Sequence, residues 1–436
     1  MARAVVINAL ARCLAAGDGD PERTFLSTGE MLGKPWPWLW TLALRYADAF
    51  RGRSRPTESQ VVEFLRRDTR FQRARRKHWG GLGVARWTSE PPRMAPVDAA
   101  KQWDLPPLET PGELADWLQL SRDELLWFAD LKGMLSSGCD APLVHYRYRL
   151  LTKSSGGFRL LEAPKPRLKE LQRQVLSGIL ERVPAHPAVH GFCKGRSITT
   201  FATPHAGCRV VLKMDLSDFF PSFGAARVAA LFRSCGYPET VAALLTGLCT
   251  NQAPRTLWRG GRQEMREARD LYCRPHLPQG APTSPAIANA CAYRLDLRLS
   301  GLARSAGAAY TRYADDLAFS GDGSFERCVD RFSTHVAALA HEEGFTVHHR
   351  KTRVMRQGVR QYLAGLVTNE GVNVIRADFD RLKAILHNCV RHGPGSQNRD
   401  SHPHYRQHLE GRVAFVEMVN PAKAARLREL LARISW

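Results

Sequence analysis

Apolar positions recur at helical spacing through residues 1 to about 78, with Trp36, Trp38, Leu39, Trp40 and Tyr46 supplying apolar mass. Thr57-Glu58-Ser59-Gln60 has the form of a capping box opening a further helix. The pattern then breaks. Gly80-Gly81-Leu82-Gly83, followed by Pro91, Pro92, Pro96, Pro106, Pro107 and Pro111, excludes long regular elements, so residues 79 to 139 read as a linker carrying one helical segment. That helix, 114 to 134, has Trp117, Leu120, Leu125, Trp127 and Phe128 on its period and Ser121 placed as a cap. Residues 146 to 151 and 158 to 161 flank Ser154-Ser155-Gly156-Gly157 as a hairpin, and 164 to 183 returns to helix. The β-branched run 210 to 214 predicts a buried strand that delivers Asp215 at its edge. Helices are expected at 223 to 235, 238 to 249 and 286 to 302, the last opened by the cap and N1 proline of Ser284-Pro285. Residues 310 to 313 and 317 to 319 are strand-like on either side of Ala314-Asp315-Asp316, which puts the acid pair at the tip of a hairpin. Further helices are read at 325 to 343, 376 to 390 and 422 to 434, with a strand pair near 346 to 348 and 363 to 367. No internal repeat is found.

A chain of 436 residues is too long for one ordinary core and implies two to four subdomains. Its formal net charge of +21 calls for a polyanionic partner. Basic residues are spread along the chain and no apolar run approaches the ~20 residues of a spanning helix, which favours nucleic acid over a membrane. The basic density peaks between Arg51 and Lys77, where Arg51, Arg53, Arg55, Arg66, Arg67, Arg70, Arg73, Arg75, Arg76 and Lys77 interleave with Phe64, Phe71 and Trp79. Such a run serves either as a solvated helix face or as a surface for phosphate contacts and base stacking. The N-terminus lacks the uninterrupted apolar stretch of a secretory signal, so a cytoplasmic protein is expected. Ten cysteines are scattered without a CxxC pair, as suits buried free thiols. His387, His392, His402, His404 and His408 lack the spacing of a zinc site.

The chemistry resides in three carboxylates. Clustered aspartates repel one another unless a cation neutralises them, so Asp215 converging with Asp315 and Asp316 implies a divalent metal. Phosphoryl transfer from a nucleoside triphosphate needs two such ions, with Asp215 and Asp315 as the natural bridging ligands and Asp316 as the third, auxiliary carboxylate. An isolated Asp-Asp dipeptide is ordinarily a turn; the strand-like flanks and the second acidic segment argue otherwise.

Asp215 with Phe219 and Phe220, Leu277-Pro278-Gln279-Gly280-Ala281-Pro282-Thr283-Ser284-Pro285, and Tyr313-Ala314-Asp315-Asp316 follow in the order of the central motifs of reverse transcriptases, which the chain resembles. Within them it is most similar to retron enzymes over residues 140 to 436, through Gly157-Phe158-Arg159, His190-Gly191-Phe192, Gly195-Arg196-Ser197-Ile198, Thr311-Arg312-Tyr313 and Phe319-Ser320. Leu363-Ala364-Gly365-Leu366 departs from the Val-Thr-Gly usual at the retron primer-gripping turn.

The resemblance implies an α+β right-hand polymerase, with fingers and palm over 140 to 370, a helical thumb over 371 to 436 and an N-terminal helical extension over 1 to 78. Asp215, Asp315 and Asp316 are then the catalytic residues and ligands of two Mg²⁺ ions. Phe220 blocks a 2′-hydroxyl, and Gln279 lies along the incoming nucleotide and its template partner. Arg159, with Lys153 a weaker second, grips the triphosphate of the dNTP. Lys351 donates a proton to pyrophosphate, where the alternative is a solvated strand end. The implied partners are a cognate structured noncoding RNA, its branched DNA product and a toxin or effector protein in phage defence. A group II intron-type enzyme, an untemplated defence polymerase and an RNA-binding scaffold with a vestigial site are the rivals. About seventy residues after Leu366 leave little room for a maturase.

Overall fold

The computed structural model describes residues 2–17, 19–51, 56–86, 93–134, 144–153, 157–258 and 263–436. Arg53, Arg55, Pro91, Pro92, Cys139 and the Ser154-Ser155-Gly156 turn lie outside them. The chain forms two compact units, residues 1–184 with 220–291, and residues 185–219 with 292–436.

The first unit opens on five helices, α1 (Ala2–Ala16), α2 (Pro21–Met31), α3 (Pro37–Ala49), α4 (Glu58–Arg67) and α5 (Thr69–Lys77). Val6, Leu10 and Leu14 of α1 pack with Met31, Leu39, Leu42, Tyr46, Val61, Leu65 and Phe71. The Thr57–Gln60 capping box forms as the sequence requires. Asp68 stops α4 and caps α5, accepting from the Phe71 amide at 2.6 Å while Arg45 holds it from α3 at 2.7 Å. Arg66, Arg70, Arg73, Arg76 and Lys77 remain exposed.

The single helix expected over 114 to 134 is two, Pro111–Trp117 and Arg122–Ala129. Gln119 turns to φ 55° between them, and Ser121 forms a second capping box with Glu124. Ser121 therefore caps the second helix rather than a continuous one. Strands β1 (Tyr146–Thr152) and β2 (Phe158–Pro164) form an antiparallel ribbon, followed by the helix Pro166–Gly178. Helices Ala225–Ser234, Glu239–Cys249, Gln263–Tyr272 and Ser284–Cys291 complete the unit.

The second unit is built on β3 (Val210–Ser217), an almost wholly buried strand between β5 (Asp316–Gly321) on one side and β6 (Thr346–Val347) and β7 (Arg353–Arg356) on the other. β4 (Ala309–Tyr313) is the far strand, and the named strands all pair antiparallel. Helices Tyr293–Ser305 and Gly323–Glu342 belong to the same unit. The run expected as one helix over 286 to 302 is thus broken at Ala292, whose ψ of 0° ends the first segment. β8 (Tyr362–Leu363), β9 (Leu366–Val367) and β10 (Asn373–Val374) make a small second sheet. Ala364 at φ 46° and Gly365 at φ 82° form the two-residue β8–β9 turn, a backbone that needs positive φ at both positions. Three helices end the chain: Arg376–His392, Tyr405–Val419 and Pro421–Ala432. They share a core of Leu382, Leu386, Leu409, Val413, Val416, Leu427 and Leu431 with Leu363 and Leu366. Among the described residues nine cysteines form no disulfide, as expected, but only Cys13, Cys235, Cys249 and Cys389 are buried.

Candidate active site

The acid site grows out of strand geometry. Lys213 and Asp215 are two residues apart on β3 and so share a face, and Asp316 is the cross-strand partner of Asp215. β4 and β5 are joined by a two-residue turn, Ala314-Asp315, with Ala314 at φ 54°. The Leu216 amide donates to the Asp315 carbonyl at 2.9 Å, which draws the turn against β3. Asp215, Asp315 and Asp316 are thereby gathered at one end of the sheet.

Two lysines answer this charge. Lys351 Nζ, from the 3₁₀ turn His349–Lys351, donates to both Asp215 oxygens at 3.0 Å, and the His348 amide holds the Asp215 carbonyl at 2.7 Å. Lys213 Nζ lies 3.0 Å from Asp316 Oδ1. Asp215 is 7% exposed, while Asp315 and Asp316 are half-buried. Burial, then the charges of Asp215 and Asp316, push the Asp315 carboxyl up to about 6. A carboxyl so crowded by its own kind is a favourable place for a dication. The donor set, three carboxylates with no thiol or imidazole, suits a hard cation. Among the described residues, however, no three such side chains are already closed into a ligand cluster. The lysine ammonium groups supply the counter-charge instead.

Behind the turn lies a pair that the motif pattern did not reveal. Arg312 of β4 is completely buried and donates to both Asp296 oxygens at 2.7 Å, from Nε to Oδ1 and from Nη2 to Oδ2; Tyr310 donates to Oδ1 at 2.8 Å. Arg312 Nη1 also donates to the Ala314 carbonyl at 3.0 Å, clamping the turn that carries Asp315. A second buried clamp is His205, whose Nδ1 faces Ser320 Oγ and whose Nε2 faces Thr311 Oγ1, both at 2.7 Å. Burial lowers its pKa to about 3, so the ring is neutral. Arg312 stood within a motif, but Asp296 sits in an amphipathic helix where it reads as ordinary surface charge. Lys213 was legible only through the i, i+2 spacing to Asp215.

Arg159, Lys153, Gln279 and Phe220 belong to the first unit. Arg159 is exposed on β2, on the face opposite the buried Leu160 and Glu162. The Lys153 amide donates to the Gly157 carbonyl at 3.0 Å, closing the β1–β2 hairpin. Phe220 is half-buried in the short helix Phe219–Ser222; Phe219 of the second unit is buried and stacks on Phe345 at 6.0 Å. The Gln279 carbonyl accepts from the Glu162 amide at 2.9 Å. A Cβ at Gly280, where φ is +134°, would lie 2.8 Å from the Glu162 carbonyl, so the close approach here is to β2 itself. Beneath it Glu162 is fully buried, meeting His276 Nε2 at 2.9 Å and Asn251 Nδ2 at 2.7 Å. This network also escaped the sequence reading.

A family model for reverse transcriptase (RNA-dependent DNA polymerase) matches residues 151–370. The retron Mx65 reverse transcriptase of Myxococcus xanthus is 46% identical over 65% of this chain and 63% of its own length. The retron Mx162 reverse transcriptase of the same organism is 38% identical over 82% of this chain and 72% of its own. The retron Ec86 reverse transcriptase of Escherichia coli is 31% identical over 66% and 82%, respectively. The residues that gather at the acid hairpin thus stand within the matched region of a chain that belongs to the retron-type reverse transcriptase family.

Proposed function

We propose that the chain is an RNA-directed DNA polymerase of retron type, with a right-hand architecture of fingers, palm and helical thumb. It copies part of a cognate structured noncoding RNA into branched, RNA-linked single-stranded DNA. The observation that carries this reading is the convergence of Asp215, Asp315 and Asp316 at one end of a buried sheet, with Asp315 pushed up to about 6 by burial and then by the charges of its neighbours.

Asp215, Asp315 and Asp316 would hold the divalent ions, Mg²⁺ in this reading. Bound there, such ions would stabilise charge developing between the attacking hydroxyl and the departing pyrophosphate. The protein's own share is placement. The Arg312 clamp fixes the turn, and the β3–β5 register sets Asp215 opposite Asp316. Lys351, half-exposed at 44% beside Asp215, would release Asp215 and donate a proton from Nζ to pyrophosphate. Arg159 and, more weakly, Lys153 would grip the triphosphate, since a guanidinium offers phosphate a bidentate fork. Phe220 would exclude a 2′-hydroxyl and Gln279 would lie along the nascent pair. The exposed arginines of α4 and α5 would contact RNA phosphates. A toxin or effector protein would complete a cytoplasmic defence system. Among the described residues no helix is long and apolar enough to cross a membrane.

The test is to purify the protein with its bound nucleic acid, sequence that RNA, and add dNTPs with Mg²⁺. A branched RNA–DNA product is expected. Tailing without a template points to the untemplated rival, and no synthesis by a protein that retains RNA points to a scaffold.

A further inference from the structure

We propose that Phe192 is a nucleobase-stacking residue beside the acid hairpin, an inference that rests on the polymerase reading above. The segment that carries it is built onto β4. The His190 amide donates to the Arg312 carbonyl and the Arg312 amide to the Ala188 carbonyl, each at 2.7 Å, with Val189 and Arg312 paired in a parallel bridge. Gly191 lies so close to the turn that a Cβ there would be 2.6 Å from the Ala314 nitrogen. The backbone of this segment therefore rests directly on the turn that presents Asp315.

Phe192 follows at φ +60°. For a bulky side chain the left-handed region is a genuine outlier, and such strain persists only where surrounding structure over-determines it. Phe192 is the one aromatic among the described non-glycine residues with positive φ. The distortion does not serve core packing, because the residue is 51% exposed. Exposure alone would carry nothing, since other large apolar residues are exposed on this protein. What distinguishes Phe192 is that an unfavourable backbone ends in a half-exposed ring, 6.3 Å from the ring of Tyr313. Tyr313 in turn is the cross-strand partner of Asp316.

The backbone on either side of the ring is also held firmly. Arg196 gathers the carbonyls of His186, Pro187 and Val189, and Ser197 caps the helix Ile198–Ala202, so both flanks of Phe192 are pinned. A rigid, flat, apolar surface beside a phosphoryl-transfer site on a chain of net charge +21 fits the face of a nucleobase. The base comes either from the template strand or from the growing primer end, and the chemistry is the same.

An RNA–DNA primer-template carrying 2-aminopurine, either at the template position next to be copied or at the primer 3′ end, separates these sources. Quenching on binding is expected at one of the two positions; quenching at neither overturns the proposal. Phe192→Ala and Phe192→Gly should weaken binding by about 5- to 150-fold, the range of one base–aromatic stack, while Phe192→Trp retains it. Phe192→Gly relieves the backbone strain, so its melting temperature should equal or exceed that of the wild type. Binding within twofold of wild type in Phe192→Ala, or a matching fall of affinity and melting temperature in Phe192→Gly, overturns the proposal. Wild-type protein that binds the primer-template but extends no primer refutes the polymerase reading instead.

Discussion

Replacing Asp296 with alanine strips the counter-charge from a fully buried guanidinium. Asp296 and Arg312 are both 0% exposed, and two charge-assisted hydrogen bonds of 2.7 Å join them. Breaking such a pair from one side costs about 3–5 kcal/mol, because the remaining charge is left desolvated. Tyr310 loses its acceptor as well. Since 1.36 kcal/mol is a factor of ten, opening of the β4–β5 hairpin should become easier by about two to four orders of magnitude. Hydrogen exchange followed by mass spectrometry on peptides spanning 309 to 321 reads this directly. Because Arg312 also holds the Ala314 carbonyl, DNA synthesis should fall together with protection. The double variant Asp296→Leu with Arg312→Met removes both charges and should recover much of the protection, as buried pairs replaced by apolar residues commonly do. Protection in Asp296→Ala within about threefold of wild type, well short of the factor expected for a broken buried pair, would refute the clamp.

His205 is neutral in the fold with a pKa near 3, whereas an unfolded histidine titrates near 6.5. The unfolded state therefore binds more protons between those values, and stability present in full above pH ~6.5 is lost as pH falls, by up to about 1.4 kcal/mol per unit. Urea midpoints between pH 5 and 6.5 should show this slope, reduced in His205→Gln. Gly191→Ala forces a Cβ to 2.6 Å from the Ala314 nitrogen, an overpacking cost of about 1–3 kcal/mol; the turnover rate should drop while RNA affinity, measured by filter binding, is kept. Reversing Arg70, Arg73 and Lys77 to glutamate should weaken RNA binding and flatten its dependence on salt by about three phosphate contacts, without lowering the melting temperature, because these side chains are exposed.

Much of this was legible where periodicity and turn chemistry agree. The β-branched run at 210 announced β3, and the strand-like flanks of Ala314-Asp315-Asp316 announced the hairpin. Breaks inside apolar runs were harder to read. Gln119 and Ala292 end helices by their backbone angles, and nothing in their side chains signals it. The helix Tyr405–Val419 does not stand out in the sequence although Leu409, Val413 and Val416 hold its period, because Arg406, Gln407, His408, Glu410, Gly411, Arg412 and Glu417 take most of the remaining positions. The buried polar clamps were the least visible. Asp296 and Arg312, His205 and Ser320, or Glu162 and His276 are joined only by tertiary packing; Arg312 and Ser320 stand in motifs, but their partners, like Glu162 and His276, read singly as surface residues.

The central claim is that the acid hairpin performs metal-dependent nucleotide addition. Incorporation of labelled dNTP on an RNA template should be measured in wild type and in Asp315→Asn, beside RNA affinity. The account predicts that Asp315→Asn loses about a hundredfold or more of synthesis, as removal of a metal-holding carboxylate should, while RNA affinity stays within twofold. Synthesis that survives the substitution, or equal loss of synthesis and RNA binding, would contradict it and make the carboxylates structural.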